Sequence, residues 1–291
     1  TQQRNRGTVL NNIAVSIFGF DSYRYGLIIM TGILVGIVIS TKLSKKRGYS
    51  NEMILDFILL AVPLGVVGAR LYYVVFSWSE FAGHPERIFT LQMQGLAIYG
   101  AVIGGLIAAW IMAKWRKMSF WDLLDCAAPS LILAQAMGRW GNFFNQELYG
   151  GVISSVSGQI GSQLALFPPA VNIHGEWHLA LFLIESVWNL VVFGILLAYW
   201  HKKPNERGSV FWLYCGLYAS VRAVLEGMRI SEFSLMIFGV IRVSQVASVI
   251  IAIFAWIMFY RNHKRGGYTG PDVPDRYKIK PEPKDKTAQE A

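Results

Sequence analysis

Seven stretches of this chain, at about 22–41, 53–77, 94–113, 120–139, 177–200, 209–228 and 236–260, are apolar over roughly twenty residues each. A helix rising about 1.5 Å per residue needs about twenty such residues to cross a hydrocarbon core about 30 Å thick. Inside lipid every backbone N–H and C=O must be satisfied within the chain, so uninterrupted runs of this length take the helical form. The sequence therefore predicts an all-α fold, a polytopic membrane helical bundle of about seven transmembrane helices. Only 15% of the residues are charged, well below the roughly one quarter of a soluble domain.

The charges that are present fall between the runs and set an orientation. Lys42, Lys45, Lys46 and Arg47 follow the first run, Lys114, Arg116 and Lys117 the third, Lys202, Lys203 and Arg207 the fifth, and Arg261, Lys264 and Arg265 the seventh. The alternate connections are poor in such residues: 78–93 has Arg87 and 140–176 has no Lys or Arg. The positive-inside rule then puts the N-terminus outside and the C-terminus in the cytoplasm, with Arg4 and Arg6 against the trend. The same placement accounts for the net charge of +9 without nucleic acid as a partner. Because its basic cluster follows the first run, that run reads as a permanent span rather than a cleaved signal.

Three regions follow. Residues 1–261 form the integral membrane part, with an outward-facing segment at about 140–176 that is rich in Gly and Ser. Residues 262–291 carry Gly266-Gly267, four prolines and mixed charge, the composition of a flexible, solvated cytoplasmic tail. No internal repeat is apparent, which weighs against an inverted-repeat transporter. Cys126 and Cys215 both lie in apolar runs without a CxxC pair, so neither a disulfide framework nor a metal site is expected. No His, Cys or carboxylate cluster has metal-ligand spacing, and no cofactor is implied.

Chemistry is suggested by polar residues where lipid penalises them. Arg70, Arg139, Glu185, Arg222 and Glu226 lie inside or at the ends of the runs, where a charge at mid-bilayer costs about 2.5–3.5 kcal/mol on insertion scales. With the orientation above, Arg70, Arg139, Asn142, Arg222, Glu226 and Arg229 fall in the outer half, and Tyr25 and Tyr99 start at that level. A lone Arg near a helix end usually snorkels to the headgroups, and a Tyr at a span start is usually an interfacial belt residue. Arg222, Glu226 and Arg229 share a helix face by spacing, so a purely structural ion-pair ladder is one reading. Surplus arginine at one depth favours an anion instead, and guanidinium forks match phosphate oxygens. The anion available at an outer leaflet is a phospholipid headgroup.

The least lipid-like stretch is Gly138-Arg139-Trp140-Gly141-Asn142-Phe143-Phe144-Asn145-Gln146-Glu147-Leu148-Tyr149-Gly150. Its glycines permit close backbone approach, but a simple helix end does not explain Arg139, Asn142, Asn145 and Glu147 together. Upstream, Gly100 and Gly104 form a GxxxG, read as a helix-packing face.

The 138–150 segment resembles the GRxGNFxNxExxG signature of the prolipoprotein diacylglyceryl transferase family. YGLI at 25–28, GARLYYV at 68–74, GLAIYG at 95–100, the R-xxx-E-xx-R spacing at 222–229 and IRVSQ at 241–245 resemble further family segments in the same order. The resemblance covers about 20–260. It implies a bacterial, multi-pass cell-membrane enzyme that moves the sn-1,2-diacylglyceryl group of phosphatidylglycerol to the lipobox cysteine thiol of a prolipoprotein, recognised through its signal peptide. Glycerol 1-phosphate would leave, as the first step of lipoprotein maturation. It implies catalytic roles for Arg139 and Arg222, with Tyr99 as a hydrogen-bonding or relay group. Phosphatidylglycerol binding falls to Arg139, Asn142, Asn145, Glu147, Gly150, Tyr25 and Arg70. Glu226, Arg229, Tyr218, Glu185 and His178 become supporting or gating residues.

Three departures stand out. Tyr99 replaces a His carried by many relatives, and a neutral Tyr with a reference pKa near 10 is a poor base. The segment His178 to Ser186 keeps His178, Glu185 and Ser186 but loses the polar residues between them. The segment 230–235 is longer than in relatives. These changes leave open an alternative, a non-catalytic or weakened paralogue that binds or transports phospholipid.

Overall fold

The computed structural model describes residues 13–17, 20–83, 85–89, 95–229, 236–237 and 241–279. Most of them are helical. Seven long helices match the seven apolar runs: α1 (Arg24–Lys46), α2 (Asn51–Phe76), α4 (Ile98–Trp115), α5 (Phe120–Asn145), α6 (Leu181–Lys202), α7 (Ser209–Met228) and α8 (Val243–Lys264). A short α3 (Trp78–Phe81) follows α2. Five of the seven, α1, α2, α4, α6 and α8, are long and apolar enough to cross a membrane. The other two, α5 and α7, carry Asp122, Asp125 and Arg139, and Arg222 and Glu226, respectively.

Strands correct the all-α expectation. Short pairs join β1 (Ile13–Ile17) to β2 (Phe20–Tyr23) and β7 (Met236–Ile237) to β8 (Ile241–Arg242). More substantially, 157–179, which overlaps much of the segment expected to face outward at about 140–176, folds as an antiparallel sheet in the order β3 (Ser157–Ile160), β4 (Leu164–Phe167), β5 (Pro169–Ile173), β6 (Glu176–Leu179). Val171, Ile173, Ala180 and Phe182 form its buried core, with Phe143, Tyr149, Leu164 and Leu183 packed around them. The fifth run thus begins as a strand, and its helix starts only at Leu181.

The chain divides into two compact units. The first comprises 1–40 and 125–268. Within it, small residues bring α1 against α5: Ser130 Oγ donates to the Gly36 carbonyl at 2.9 Å, and Ser40 Oγ donates to the Cys126 carbonyl at 3.0 Å. Asp125, fully buried, reaches the start of α7, where its carboxylate accepts from Gly208 N at 2.6 Å and Phe211 N at 2.8 Å. Two of the amides that a helix N-terminus leaves without intrahelical partners are satisfied in this way. Helices α7 and α8 close on Gly216, where an added Cβ would lie 3.0 Å from the Trp256 ring.

The second unit comprises 41–124 and 269–291. Its centre is the antiparallel pair α2 and α4. Gly68, Gly100 and Gly104 let the two backbones touch; a Cβ on Gly100 would sit 2.6 Å from Cβ of Tyr72 and closer still to the Gly68 carbonyl. The GxxxG reading is therefore met by a real close approach. Asp122, fully buried, accepts from Arg47 Nη1 at 2.7 Å and Tyr49 OH at 2.8 Å.

Most of the described tail from Asn262 onward is exposed, but two of its residues are buried and anchored. In the first unit Asn262 is buried and donates to the Arg207 carbonyl and Ser209 Oγ. In the second, Tyr277 is buried, its hydroxyl donates to Asp56 Oδ2 at 2.8 Å, and its carbonyl accepts from Ser50 N at 2.6 Å.

Candidate active site

The last two turns of α5 carry Arg139 and Asn142, three apart and so on one face. The helix runs on to Asn145, one and a half turns beyond the apolar run. Arg139 Nη2 lies 2.6 Å from Glu185 Oε1 on α6. The other oxygen of Glu185 lies 3.2 Å from Arg222 Nη1 on α7. Arg222 continues through Nη2 to Glu226 Oε2 at 2.5 Å, and Arg229 Nη1 stands 3.8 Å from that same oxygen. Five side chains from three helices thus alternate in sign along one chain of contacts. Three guanidinium groups against two carboxylates leave one formal positive charge.

Supporting contacts fix this order. The Tyr218 hydroxyl lies 3.4 Å from Arg139 Nη2 and 3.5 Å from Glu185 Oε1. From α8, Ser244 Oγ donates to Glu226 Oε1 at 2.9 Å and Gln245 Nε2 donates to the Ala223 carbonyl at 3.0 Å. Ser186 Oγ, next to Glu185, donates to the Ala136 carbonyl at 2.9 Å, locking α6 to α5 one turn from the arginine. Glu185 and Glu226 are buried, while Arg139, Arg222 and Arg229 keep about a fifth of their side-chain surface exposed. Charges held in so little water interact more strongly than on a surface.

Past Arg139 the signature folds back on Glu147. Its Oε1 accepts from Asn142 Nδ2 at 3.0 Å and from Asn145 Nδ2 at 3.2 Å. The turn needs left-handed backbone at Gln146 and Leu148. Gly150 then bridges two neighbours: its N–H donates to the Leu179 carbonyl at 2.9 Å and it pairs with Arg229. A Cβ there would come to 3.0 Å from Leu179 Cβ and 3.3 Å from the Met228 carbonyl. His178 Nδ1 is 3.2 Å from the Gly150 carbonyl, and its ring centroid is 4.6 Å from that of Tyr149. A narrow cleft opens on this assembly, lined by Arg139, Asn142, Glu185, Arg222 and Arg229 with apolar walls from Leu148, Leu181, Phe182 and Leu225.

The expected residues Arg139, Asn142, Glu185, Tyr218, Arg222, Glu226 and Arg229 are thus brought together, with Asn145, Glu147, Gly150 and His178 linked to them through the signature turn. Arg70 and Tyr99 belong to the second unit, where the Arg70 guanidinium donates to the carbonyls of Arg87, Ile88 and Gly95. The Tyr25 side chain and the 230–235 segment lie outside the described residues. Three positioning residues were not anticipated: Asp125, Ser186 and Ser244. Asp125 had a signal, an acidic residue inside an apolar run, and Ser244 lay in the IRVSQ segment.

Motifs from separate stretches of the chain thus meet at one cleft. Residues 12–261 match the family model described as prolipoprotein diacylglyceryl transferase. The chain is 40% identical over 258 residues to a phosphatidylglycerol–prolipoprotein diacylglyceryl transferase of Clostridium kluyveri, covering 88% of this chain and 98% of that one. It is 39% identical over 269 residues to the protein of the same name from Oceanobacillus iheyensis, covering 91% and 92%. With the Halalkalibacterium halodurans protein of that name it shares 36% over 275 residues, covering 92% and 93%. By the extent of these matches, the chain belongs to the prolipoprotein diacylglyceryl transferase family.

Proposed function

We propose that this chain is a phosphatidylglycerol–prolipoprotein diacylglyceryl transferase of the bacterial cell membrane, crossing the bilayer several times with its N-terminus outside. It transfers the sn-1,2-diacylglyceryl group to the thiol of a lipobox cysteine. The single observation that carries the reading is the shared carboxylate of Glu185. Two guanidinium groups from different helices converge on one oxyanion, at the spacing that two oxygens of a phosphodiester require.

In this mechanism the lipid phosphate takes the place that Glu185 holds between Arg139 and Arg222. The cysteine thiol releases its proton to water, and its sulfur attacks the glycerol carbon bonded to the phosphate oxygen. A C–S bond forms, the C–O bond breaks, and its electron pair stays on the phosphate, which leaves as glycerol 1-phosphate. Negative charge grows on that phosphate as the bond stretches. Fixed donors aimed at developing charge stabilise the transition state more than the ground state, and Arg139 and Arg222 supply them. Glu226 and Arg229 hold Arg222 in line, while the amides of Asn142 and Asn145, gathered by Glu147, meet the glycerol headgroup. Tyr99 acts as a hydrogen-bonding or relay group. No metal or cofactor enters these steps.

The test is purified protein in detergent with phosphatidylglycerol and a lipobox peptide. Glycerol phosphate release that depends on the peptide's Cys supports the transferase. Phospholipid binding without turnover supports instead the paralogue reading raised by the altered 178–186 segment.

A further inference from the structure

Arg70 sits near the end of α2, in a sequence position that suggests a headgroup ligand. Its hydrogen bonds go elsewhere. Nε donates to the Ile88 carbonyl at 3.1 Å, Nη1 to the Gly95 carbonyl at 3.1 Å and Nη2 to the Arg87 carbonyl at 2.5 Å. The guanidinium carbon stands 5.3 Å from the Phe81 ring centroid, within cation–π range. Carbonyls accept only, so each contact uses an N–H of the fork, and charge-assisted bonds of this kind are the stronger class. Lysine offers no planar fork and cannot reproduce three divergent donors.

The consequence lies at Gly95 and the start of α4. Gly95 has φ +91, a left-handed conformation that favours glycine. A Cβ there would lie 2.7 Å from Arg70 Nη1 and 2.9 Å from the Tyr73 ring. Next, Ala97 N–H donates to the Ala69 carbonyl at 3.1 Å, and α4 begins at Ile98 with Tyr99 as its second residue. The start of α4 therefore has no side-chain cap; it is pinned through Gly95 and Ala97 to consecutive residues of α2. Tyr99, half-exposed, has its ring centroid 6.0 Å from that of Tyr72 on α2.

We infer that Arg70 is a positioning residue of the transfer reaction: its three-carbonyl latch fixes the start of α4 and thereby where the Tyr99 hydroxyl stands. This rests on the transferase reading and on a role for Tyr99 in it. It differs from a headgroup role for Arg70, because a residue acting through Tyr99 alters turnover rather than lipid affinity.

The test uses the full chain in detergent with phosphatidylglycerol and a lipobox peptide, comparing wild type, Arg70→Lys, Gly95→Ala, Tyr99→Phe and the doubles Arg70→Lys/Tyr99→Phe and Gly95→Ala/Tyr99→Phe. Arg70→Lys and Gly95→Ala each lower kcat by about tenfold or more while KM for phosphatidylglycerol stays within about threefold. In both doubles kcat matches Tyr99→Phe alone, a coupling that a merely structural role would not produce. Gly95→Ala retains the arginine but pushes a Cβ against its Nη1, and serves if Arg70→Lys fails to fold. A KM rise of about tenfold in Arg70→Lys with kcat kept, multiplicative losses in the doubles, or full activity in Tyr99→Phe each overturns the inference. Wild type that binds lipid but releases no glycerol phosphate overturns the transferase reading itself.

Discussion

Replacing Arg139 with alanine separates two tasks that the geometry gives it. One, seen in the structure, is to neutralise Glu185, 2.6 Å away; the other, proposed above, is to hold the phosphate that displaces that carboxylate. Stability falls modestly, because Glu185 keeps Arg222 at 3.2 Å and the Tyr218 hydroxyl nearby; the lost charged contact costs about 1.5–3 kcal/mol. Turnover falls much further. Losing a fixed donor to the developing oxyanion costs about 2.7–4 kcal/mol, or about 10²–10³ in kcat. The decisive arm is the double variant Arg139→Ala/Glu185→Ala. It restores the single positive charge of the cluster, which Arg139→Ala alone cancels. If Arg139 only balances Glu185, the double variant recovers activity; if it grips phosphate, the double variant is no better than the single. The assay is peptide-dependent release of labelled glycerol phosphate at saturating lipid, normalised to protein that remains monodisperse in detergent. Recovery in the double variant to within about threefold of wild type, a difference of about 0.6 kcal/mol, would refute the phosphate-gripping argument.

Three further outcomes are expected. Gly150→Val inserts its branched side chain between Leu179 and the Met228 carbonyl, and overpacking of this kind costs about 1–3 kcal/mol; thermal unfolding of the detergent-solubilised protein checks it, with Gly150→Ala intermediate. Asp125→Ala removes both acceptors at the start of α7, lowering stability by about 1–2 kcal/mol and misaligning Arg222 against Arg139, so kcat and melting temperature fall together. Burial, and then the hydrogen bond to Asp56, push the Tyr277 hydroxyl up to about 12. A raised folded pKa means that the stabilisation is intact below the ordinary tyrosine range near 10 and disappears as pH climbs through about 12. The unfolding midpoint of Tyr277→Phe is therefore lower at neutral pH and changes less than wild type's across that alkaline window.

The helices were legible because their signal is long. Twenty apolar residues leave few alternatives, and each of the seven runs holds a long helix, though the runs at 177–200 and 236–260 begin in strands. The ends were less so: α5 continues through Asn142 to Asn145 because a helix leaving an apolar environment needs no apolar side chains, and only the turn at Gln146 stops it. The sheet was illegible for the opposite reason. Its strands are four or five residues long, β3 is exposed throughout, and β6 runs almost directly into an apolar helix, so no alternating period emerges. Arg139, Arg222 and Glu226 were readable as out-of-place charges, and the Arg222–Glu226–Arg229 spacing anticipated the ladder. What sequence could not convey was that Glu185 has two partners, since pairing across α5, α6 and α7 depends on tertiary contacts such as Asp125 with Gly208 and Phe211. Likewise, residues 262–279 have the composition of a loose tail, and only the seats found by Asn262 and Tyr277 bind them down.

The carboxylate already lodged between two guanidinium groups also sets an entry threshold. Chloride or other weakly coordinating salts cannot outcompete a tethered oxyanion whose local concentration is fixed by the helix that bears it. On the proposed mechanism a guest must therefore bring a second oxygen and additional grip through its own attached groups before the resident steps aside, which sets free ions apart from a diester delivered from the bilayer.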